Sequence, residues 1–193
     1  MRARLALHAS GLAYEHREIE LKRKPAHLLS LSPKGTVPVL WRPSEGQVID
    51  QSLDIMLWAL QQQDPQHWLP QDASMLKDWR VQIGRNDGDF KHHLDRTKYP
   101  ERFADAQGRE HHRAQAVAVL LQALEARLQA APQLGGDAPC AADIGIFPFV
   151  RQFAATDPPW WAAQPLPAVQ AWLAGWLVHP LFERAMRKWP DAP

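Results

Sequence analysis

The chain has 193 residues and a formal net charge of +1, with 46% hydrophobic and 22% charged residues. Lysines and arginines are spread along the sequence, which argues against a nucleic-acid partner. No apolar run reaches membrane-spanning length, and the only cysteine, Cys140, excludes an internal disulfide framework and a cysteine-based metal cluster. We therefore expect a cytoplasmic protein with no membrane and no nucleic-acid partner.

The first third of the sequence predicts short, mixed elements. MRARLALHASG has the apolar spacing of a helix that stops at Gly11, so the chain begins inside a helix with no cap or strand before it. AYEHREIEL (13–21) alternates between two faces and predicts a strand. KPAHLLSLSP (24–33) predicts a short helix, because a proline is tolerated in the first turn.

A hairpin and a helix follow. TVPVLW (36–41) and QVI (47–49) are β-type segments joined by the turn RPSEG (42–46), which predicts an antiparallel pair. DQSLDIMLWALQQQ (50–63) predicts a helix with Asp50 as its N-cap. This region is therefore expected to be a small α/β unit.

Beyond the break QQDPQHWLPQD (62–72), the sequence predicts helices only. We expect a bend or loosened turn near Gly84 and Gly88, and a kink at Pro148. The predicted helical segments are 73–95, 109–129, 140–154, 166–179 and 180–189. The layout is a small α/β unit followed by an all-helical one.

Two local signals indicate a ligand site, although each has an ordinary explanation. A cis Val37–Pro38 bond would leave the Val37 N–H and C=O free for a ligand backbone, whereas an edge-strand proline is the commoner case. Gln51 and Ser52 lie where a strand gives way to a helix, so they could bind a carboxylate at the helix N-terminus. Simple capping would explain the same residues.

Taken together, three motifs resemble the glutathione S-transferase family over the whole chain. LSPKGTVPVL (31–40) resembles the family's loop into a strand with a cis-proline, and DQSLDI (50–55) resembles its γ-glutamyl-binding turn. GGDAPCAADIGIFPFV (135–150) resembles the buried helix of the second domain. The resemblance implies a thioredoxin-like α/β domain at 1–64, followed by an all-α domain at 72–193.

The resemblance also implies a glutathione site. Val37 would pair its backbone with the cysteinyl part of glutathione, beside a cis Pro38. Gln51 and Ser52 would hold the γ-glutamyl carboxylate. Lys34 is a candidate for the glycyl carboxylate on its charge and loop position, although a solvated loop lysine is the alternative.

Two departures from the family pattern affect the chemistry. The family has a first strand and a catalytic loop before the helix that MRARLAL matches, so the resemblance implies that the catalytic residue lies upstream of Met1 and that the first domain is N-terminally truncated. Cys140 stands where the family usually has Ser or Thr. Because cysteine is a poor N-cap, we expect a half-built capping box with Asp143 and a buried structural thiol, not a nucleophile.

No metal site is expected. His92 with His93, and His111 with His112, are adjacent pairs whose members point to different helix faces, so neither pair has metal-binding spacing and solvated histidines are expected. The resemblance implies a bacterial-type glutathione transferase used in detoxification. It would act as a homodimer on glutathione and a small apolar electrophile or a disulfide, with glutathione a substrate and no metal. The alternative is a non-catalytic glutathione-binding or scaffold protein with the same fold.

Overall fold

A computed structural model describes residues 1–104 and 106–189. They form two compact units: unit 1 contains Met1–Gln66 and the segment from Pro180 onward, and unit 2 contains His67–His179. The helices in chain order are α1 (Arg2–Ser10), α2 (Ala26–Leu31), α3 (Ser52–Gln62), α4 (Ala73–Arg85), α5 (Lys91–Lys98), α6 (Arg109–Ala116), α7 (Gln122–Ala130), α8 (Ala141–Ala154), α9 (Pro158–Ala162), α10 (Pro167–Leu177) and α11 (Pro180–Met186).

The strands of unit 1 form the predicted hairpin. β1 (Leu40–Arg42) pairs antiparallel with β2 (Gln47–Ile49), and Gly46 between them has the left-handed φ of 61° that glycine adopts without a steric penalty. The first strand is shorter than predicted and begins two residues after Pro38. A proline has no N–H to give to a strand ladder, so the paired segment starts beyond it.

The predicted strand at 13–21 was wrong. Its side chains keep the expected alternation, with Tyr14 and His16 half-buried and Glu15 and Arg17 exposed, but the segment forms no strand in the described structure. Alternation specifies which side chains face inward, whereas a strand also needs a neighbouring backbone to share its hydrogen bonds.

The core of unit 1 lies between α1, α3 and α11. Leu5 and Ala6 of α1 and Ile55 and Met56 of α3 are almost completely buried, because their spacing places them on the facing sides of the two helices. α1 ends as predicted, with Gly11 in the left-handed region at φ 72°.

α11 follows all of unit 2 in the sequence, yet it packs in unit 1. Leu181 and Ala185 are buried, and the carbonyl of Ala185 accepts a hydrogen bond from Arg4 Nη1 at 3.4 Å. The other guanidinium nitrogen of Arg4 bonds both carboxylate oxygens of Glu18, at 2.7 and 2.9 Å. Unit 1 is thus assembled from both ends of the sequence.

Unit 2 is built from two long interrupted helices and the buried α8. A π-helical turn over Asn86–Phe90 joins α4 to α5, which confirms the loosened turn predicted near Gly88, and a second π-helical turn over Val117–Leu121 joins α6 to α7. α8 is buried along most of its length, with Pro148 inside it. None of the helices within residues 1–104 and 106–189 has the length and apolar character needed to cross a bilayer.

Candidate functional site

The hairpin register brings the predicted site residues to one place. Leu40 is paired with Ile49, so β1 begins where β2 ends. Residues 37–38, which precede β1, and residues 50–52, which follow β2, therefore lie at the same open end of the hairpin. Two segments more than ten residues apart in sequence become neighbours through this single pairing.

The backbone of Val37 is available at this end. The Val37–Pro38 peptide bond is cis, as the family resemblance implied. Val37 is 47% exposed, and its N–H and C=O have no hydrogen-bond partner among the described residues. An extended ligand backbone could therefore pair with both groups, as a neighbouring strand would.

The start of α3 offers a second group of unpaired donors. The first hydrogen bond of the helix runs from the Ile55 N–H to the Gln51 carbonyl at 3.0 Å, which leaves the N–H groups of residues 52–54 without acceptors in the described structure. Gln51 is the N-cap and its side chain does not cap the helix. The exposed Gln51 amide and the half-buried Ser52 hydroxyl, together with the positive end of the helix dipole, form an arrangement that suits a carboxylate.

Asp50 does not cap α3, contrary to the sequence prediction. Its carboxylate instead accepts from Lys34 Nζ at 2.9 Å and from the Ser32 hydroxyl at 3.2 Å. The hydrogen bond from Lys34 holds the pKa of Asp50 below its usual range. The cap position moves on by one residue, to Gln51, because Asp50 takes part in this tertiary contact.

The same contact determines the state of Lys34. Its side chain is 57% exposed and its ammonium is shared with the Asp50 carboxylate, so its positive charge is already balanced. The pairing places Lys34 beside the open end of the hairpin, next to Gln51. A ligand carboxylate at Lys34 would have to share the ammonium with Asp50.

The surroundings of Cys140 indicate a structural role for its side chain. It is the N-cap residue of α8, and its N–H donates to the Asp143 carboxylate at 2.8 Å. Burial, followed by the charge of Asp143, raises the pKa of the Cys140 thiol to about 12. A thiol with that pKa is almost entirely protonated at neutral pH and is a poor nucleophile, in agreement with the structural role that the sequence predicted.

The histidines differ from the sequence prediction. His112 is buried, and its Nδ1 lies 2.9 Å from Nδ1 of His93 on the neighbouring α5. Neither adjacent pair has metal-binding spacing by itself, but the contact joins one member of each pair across 19 positions. The spacing of the histidines in the sequence gives no signal of this contact, because it depends on how α5 packs against α6.

Comparison with known proteins supports the architecture. The family model described as the glutathione S-transferase N-terminal domain matches residues 1–62, and the model of the C-terminal domain matches residues 106–175. Together these matches cover more than half of the chain. No curated protein sequence matches it significantly.

Solved structures show the same fold at low identity. A glutathione transferase from Burkholderia graminis, with two glutathione molecules bound per subunit, is 23% identical with a TM-score of 0.78, over 95% of this chain and 81% of that one. One from Pseudomonas putida, with one glutathione disulfide bound per subunit, is 20% identical with a TM-score of 0.76, over 96% and 85%. Glutathione transferase Omega 3C from Trametes versicolor is 19% identical with a TM-score of 0.79, over 98% and 85%.

A small hairpin with helices, followed by a helical region, is the architecture of the glutathione transferases, and both family models match in the expected order. The chain belongs to the glutathione S-transferase family.

Proposed function

We propose that this chain binds glutathione at the open end of the hairpin and transfers it to small electrophiles or uses it in thiol transfer. The observation on which this proposal depends is the group of unpaired donors at the start of α3, beside the unpaired backbone of Val37. Its support from other proteins is the family membership and the glutathione bound in the Burkholderia graminis and Pseudomonas putida structures.

In the proposed complex, the γ-glutamyl carboxylate accepts hydrogen bonds from the Ser52 hydroxyl, the Gln51 amide and the first N–H groups of α3. The cysteinyl part of glutathione pairs with the Val37 backbone, beside Pro38. The glycyl carboxylate lies against Lys34, which Asp50 shares. Hydrogen bonds to a charged group contribute about 1.5–3 kcal/mol each, so these contacts are sufficient to fix the tripeptide.

The chemistry then belongs to the glutathione sulfur. Its thiolate attacks an electrophilic atom of the second substrate, a sulfur–carbon bond forms and the displaced group leaves with the electron pair. In the disulfide case, a new sulfur–sulfur bond forms and the second thiol leaves as a thiolate. Residues 37 and 50–52 contribute by fixing the position of the tripeptide, which makes the attack effectively intramolecular within the complex.

Binding without catalysis is a second candidate function, because Cys140, the one cysteine of the sequence, offers no thiolate of the chain's own for thiol transfer. A catalytic thiol must be available as a thiolate, and the thiol of Cys140 has a pKa raised to about 12. A scaffold that binds glutathione through residues 37 and 50–52 would need no such group. Turnover therefore separates the two functions, whereas binding does not.

The experiment compares Ser52→Ala with Ser44→Ala. Ser44 lies in the exposed turn between the strands, at the other end of the hairpin, and is the matched control. We expect Ser52→Ala to raise the Kd for glutathione about tenfold by calorimetry, because it removes one donor to a carboxylate, and Ser44→Ala to leave it unchanged. Val37→Ala should have little effect, since its contacts are made by the backbone.

Each outcome assigns the function. Glutathione binding together with conjugation of a chromogenic aryl halide, or reduction of a mixed disulfide, supports the enzyme. Binding with no turnover in either assay supports the scaffold. Absence of binding, or equal loss in both serine variants, would contradict the site assignment.

The proposal includes the wider assignments that the family resemblance implies: a cytoplasmic, bacterial-type detoxifying enzyme that acts as a homodimer on a small apolar electrophile or a disulfide. The Burkholderia and Pseudomonas sources of two similar structures support the bacterial type. Light scattering on the purified chain tests the dimer. A mass near 21.9 kDa would contradict it, because this is the mass of one chain.

A further inference from the structure

Four histidines lie together where α5 faces α6, far in sequence from the proposed glutathione site. His92 and His93 are on α5, and His111 and His112 are on α6. Three of them, His92, His93 and His112, each offer a ring nitrogen within 4.8 Å of the other two. We propose that these three imidazoles form a binding site for a zinc ion.

The distances require little adjustment. Nδ1 of His93 and Nδ1 of His112 are 2.9 Å apart. Two nitrogens bound tetrahedrally to zinc at about 2.0–2.1 Å are separated by about 3.3 Å. A few tenths of an ångström therefore separate this pair from the coordinated geometry, and rotation of the exposed His92 ring supplies the third ligand.

The three imidazoles differ in exposure in a way that suits an ion entering from solvent. His112 is buried, His93 is half-buried and His92 is exposed. The ring centroid of His93 lies 5.2 Å from that of His112 and 4.9 Å from that of His92. The inner ligands are thus held by packing while the outer one faces solvent, and a fourth coordination position remains for water or another small ligand.

The charges around the cluster are mixed. Arg96 Nη1 lies 3.1 Å from His92 Nδ1, so the guanidinium competes with a cation for that nitrogen unless His92 binds through its other one. Burial and then the neighbouring imidazoles lower the pKa of His93, and the carboxylate of Asp89 in the preceding turn opposes this shift only in part. His111 has its ring 5.3 Å from that of His112, but it lies outside the group whose nitrogens converge.

The donor set indicates the kind of metal. Neutral imidazoles suit zinc, copper and nickel, whereas magnesium and calcium prefer oxygen ligands. Three histidines with an open fourth position is a zinc pattern. An ion bound here would also join α5 to α6, because its ligands come from both helices.

Zinc titration of the full-length chain tests the site. The protein should carry no histidine tag and should be stripped with a chelator before calorimetry. We expect one Zn²⁺ per chain with a Kd in the micromolar range or below, and Co²⁺ at the same site should give the visible absorption of a tetrahedral complex. His92→Gln and His93→Gln should each weaken binding at least tenfold, and His92→Gln should leave folding unchanged because the residue is exposed.

Two variants are the controls. His111→Gln removes the neighbouring imidazole that lies outside the convergent group, and His27→Gln removes an exposed histidine of unit 1. Both should bind Zn²⁺ as the unchanged chain does, and circular dichroism should show all four variants folded. Absence of saturable Zn²⁺ binding would overturn the proposal, as would binding by His92→Gln and His93→Gln that is as tight as in the unchanged chain. In either case the His93–His112 contact is an imidazole hydrogen bond alone.

Discussion

The starts of the helices differ between the two units. In unit 2, three helices begin at a carboxylate that accepts N–H groups of their first turn: Asp72 for α4, Asp157 for α9 and Glu125 for α10. In α8, Asp143 of the first turn accepts the N–H of the N-cap residue Cys140. In unit 1, the start of α3 has no side-chain cap. The same orphaned donors are thus filled by the protein in one unit and left open in the other.

Asp143 is an example of a carboxylate whose donors all come from the protein itself. Its carboxylate is fully buried and accepts from the Leu134 N–H at 2.9 Å, the Cys140 N–H at 2.8 Å and the Trp172 indole N–H at 2.8 Å. These three donors are used within the fold, so they are not available to a ligand carboxylate. The contrast with α3 indicates that a helix start is a candidate binding site where its donors are not used within the fold.

The largest predicted effect is a loss of stability when the Asp143 carboxylate is removed. Asp143→Ala leaves three donors without their acceptor, two of them backbone N–H groups, and we expect the free energy of unfolding to fall by about 3–5 kcal/mol. Urea denaturation followed by tryptophan fluorescence measures it. Asp137→Ala, at an exposed position before α8, should change stability by less than about 0.5 kcal/mol. A similar loss in both variants would mean that the Asp143 network does not hold unit 2.

An intermediate effect is expected when a side chain of the protein caps the start of α3. Gln51→Asp places a strong N-cap at the start of α3, which should raise the free energy of unfolding by about 0.5–1 kcal/mol. The same carboxylate occupies the donors and repels an anion, so the Kd for glutathione should rise at least about tenfold. Stability and affinity therefore change in opposite directions, which separates a binding role from a structural one.

Gln51→Asn is the matched control for charge. Asparagine caps a helix about as well as aspartate but carries no charge, so it should stabilise similarly and weaken glutathione binding less. If Gln51→Asp stabilised the chain and left the affinity unchanged, the start of α3 would not be the carboxylate site.

The smallest effect is expected at the pair of Lys34 and Asp50. Both side chains are partly exposed, so the pair is screened by solvent and salt, and Asp50→Asn should change stability only slightly. Because Lys34 lowers the pKa of Asp50, the contribution is present above the ordinary pKa of 3.8 and is lost as the pH falls through the lowered value. Thermal midpoints of the two proteins should therefore differ at pH 7 and converge in strong acid, and a constant difference would contradict the pairing.

The sequence predicted those features that short segments determine. The hairpin over 40–49 follows from two β-type segments and a turn, and the end of α1 follows from Gly11. The N-cap of α3 could not be placed correctly in this way, because Asp50 is occupied by Lys34, 16 positions earlier in the chain. Local propensity favoured Asp50, and a tertiary ion pair moved the cap to Gln51.

The candidate sites show the same limit. Val37, Gln51 and Ser52 could be named from a family motif, and the hairpin register explains why they come together. The histidine cluster could not be predicted from pair spacing, since the decisive contact joins His93 to His112 across two helices. Sequence patterns describe one element at a time, whereas a three-ligand site depends on how two elements pack.

The position of α11 has a consequence for the order in which the protein matures. Unit 1 buries Leu181 and Ala185 beside α1, although the ribosome synthesises these residues only after all of unit 2. Domains generally fold as units while the chain emerges, at about 5–20 residues per second. Unit 2 can therefore complete its core during synthesis, while the part of α1 that α11 covers stays exposed for on the order of 10 seconds or more until α11 is released.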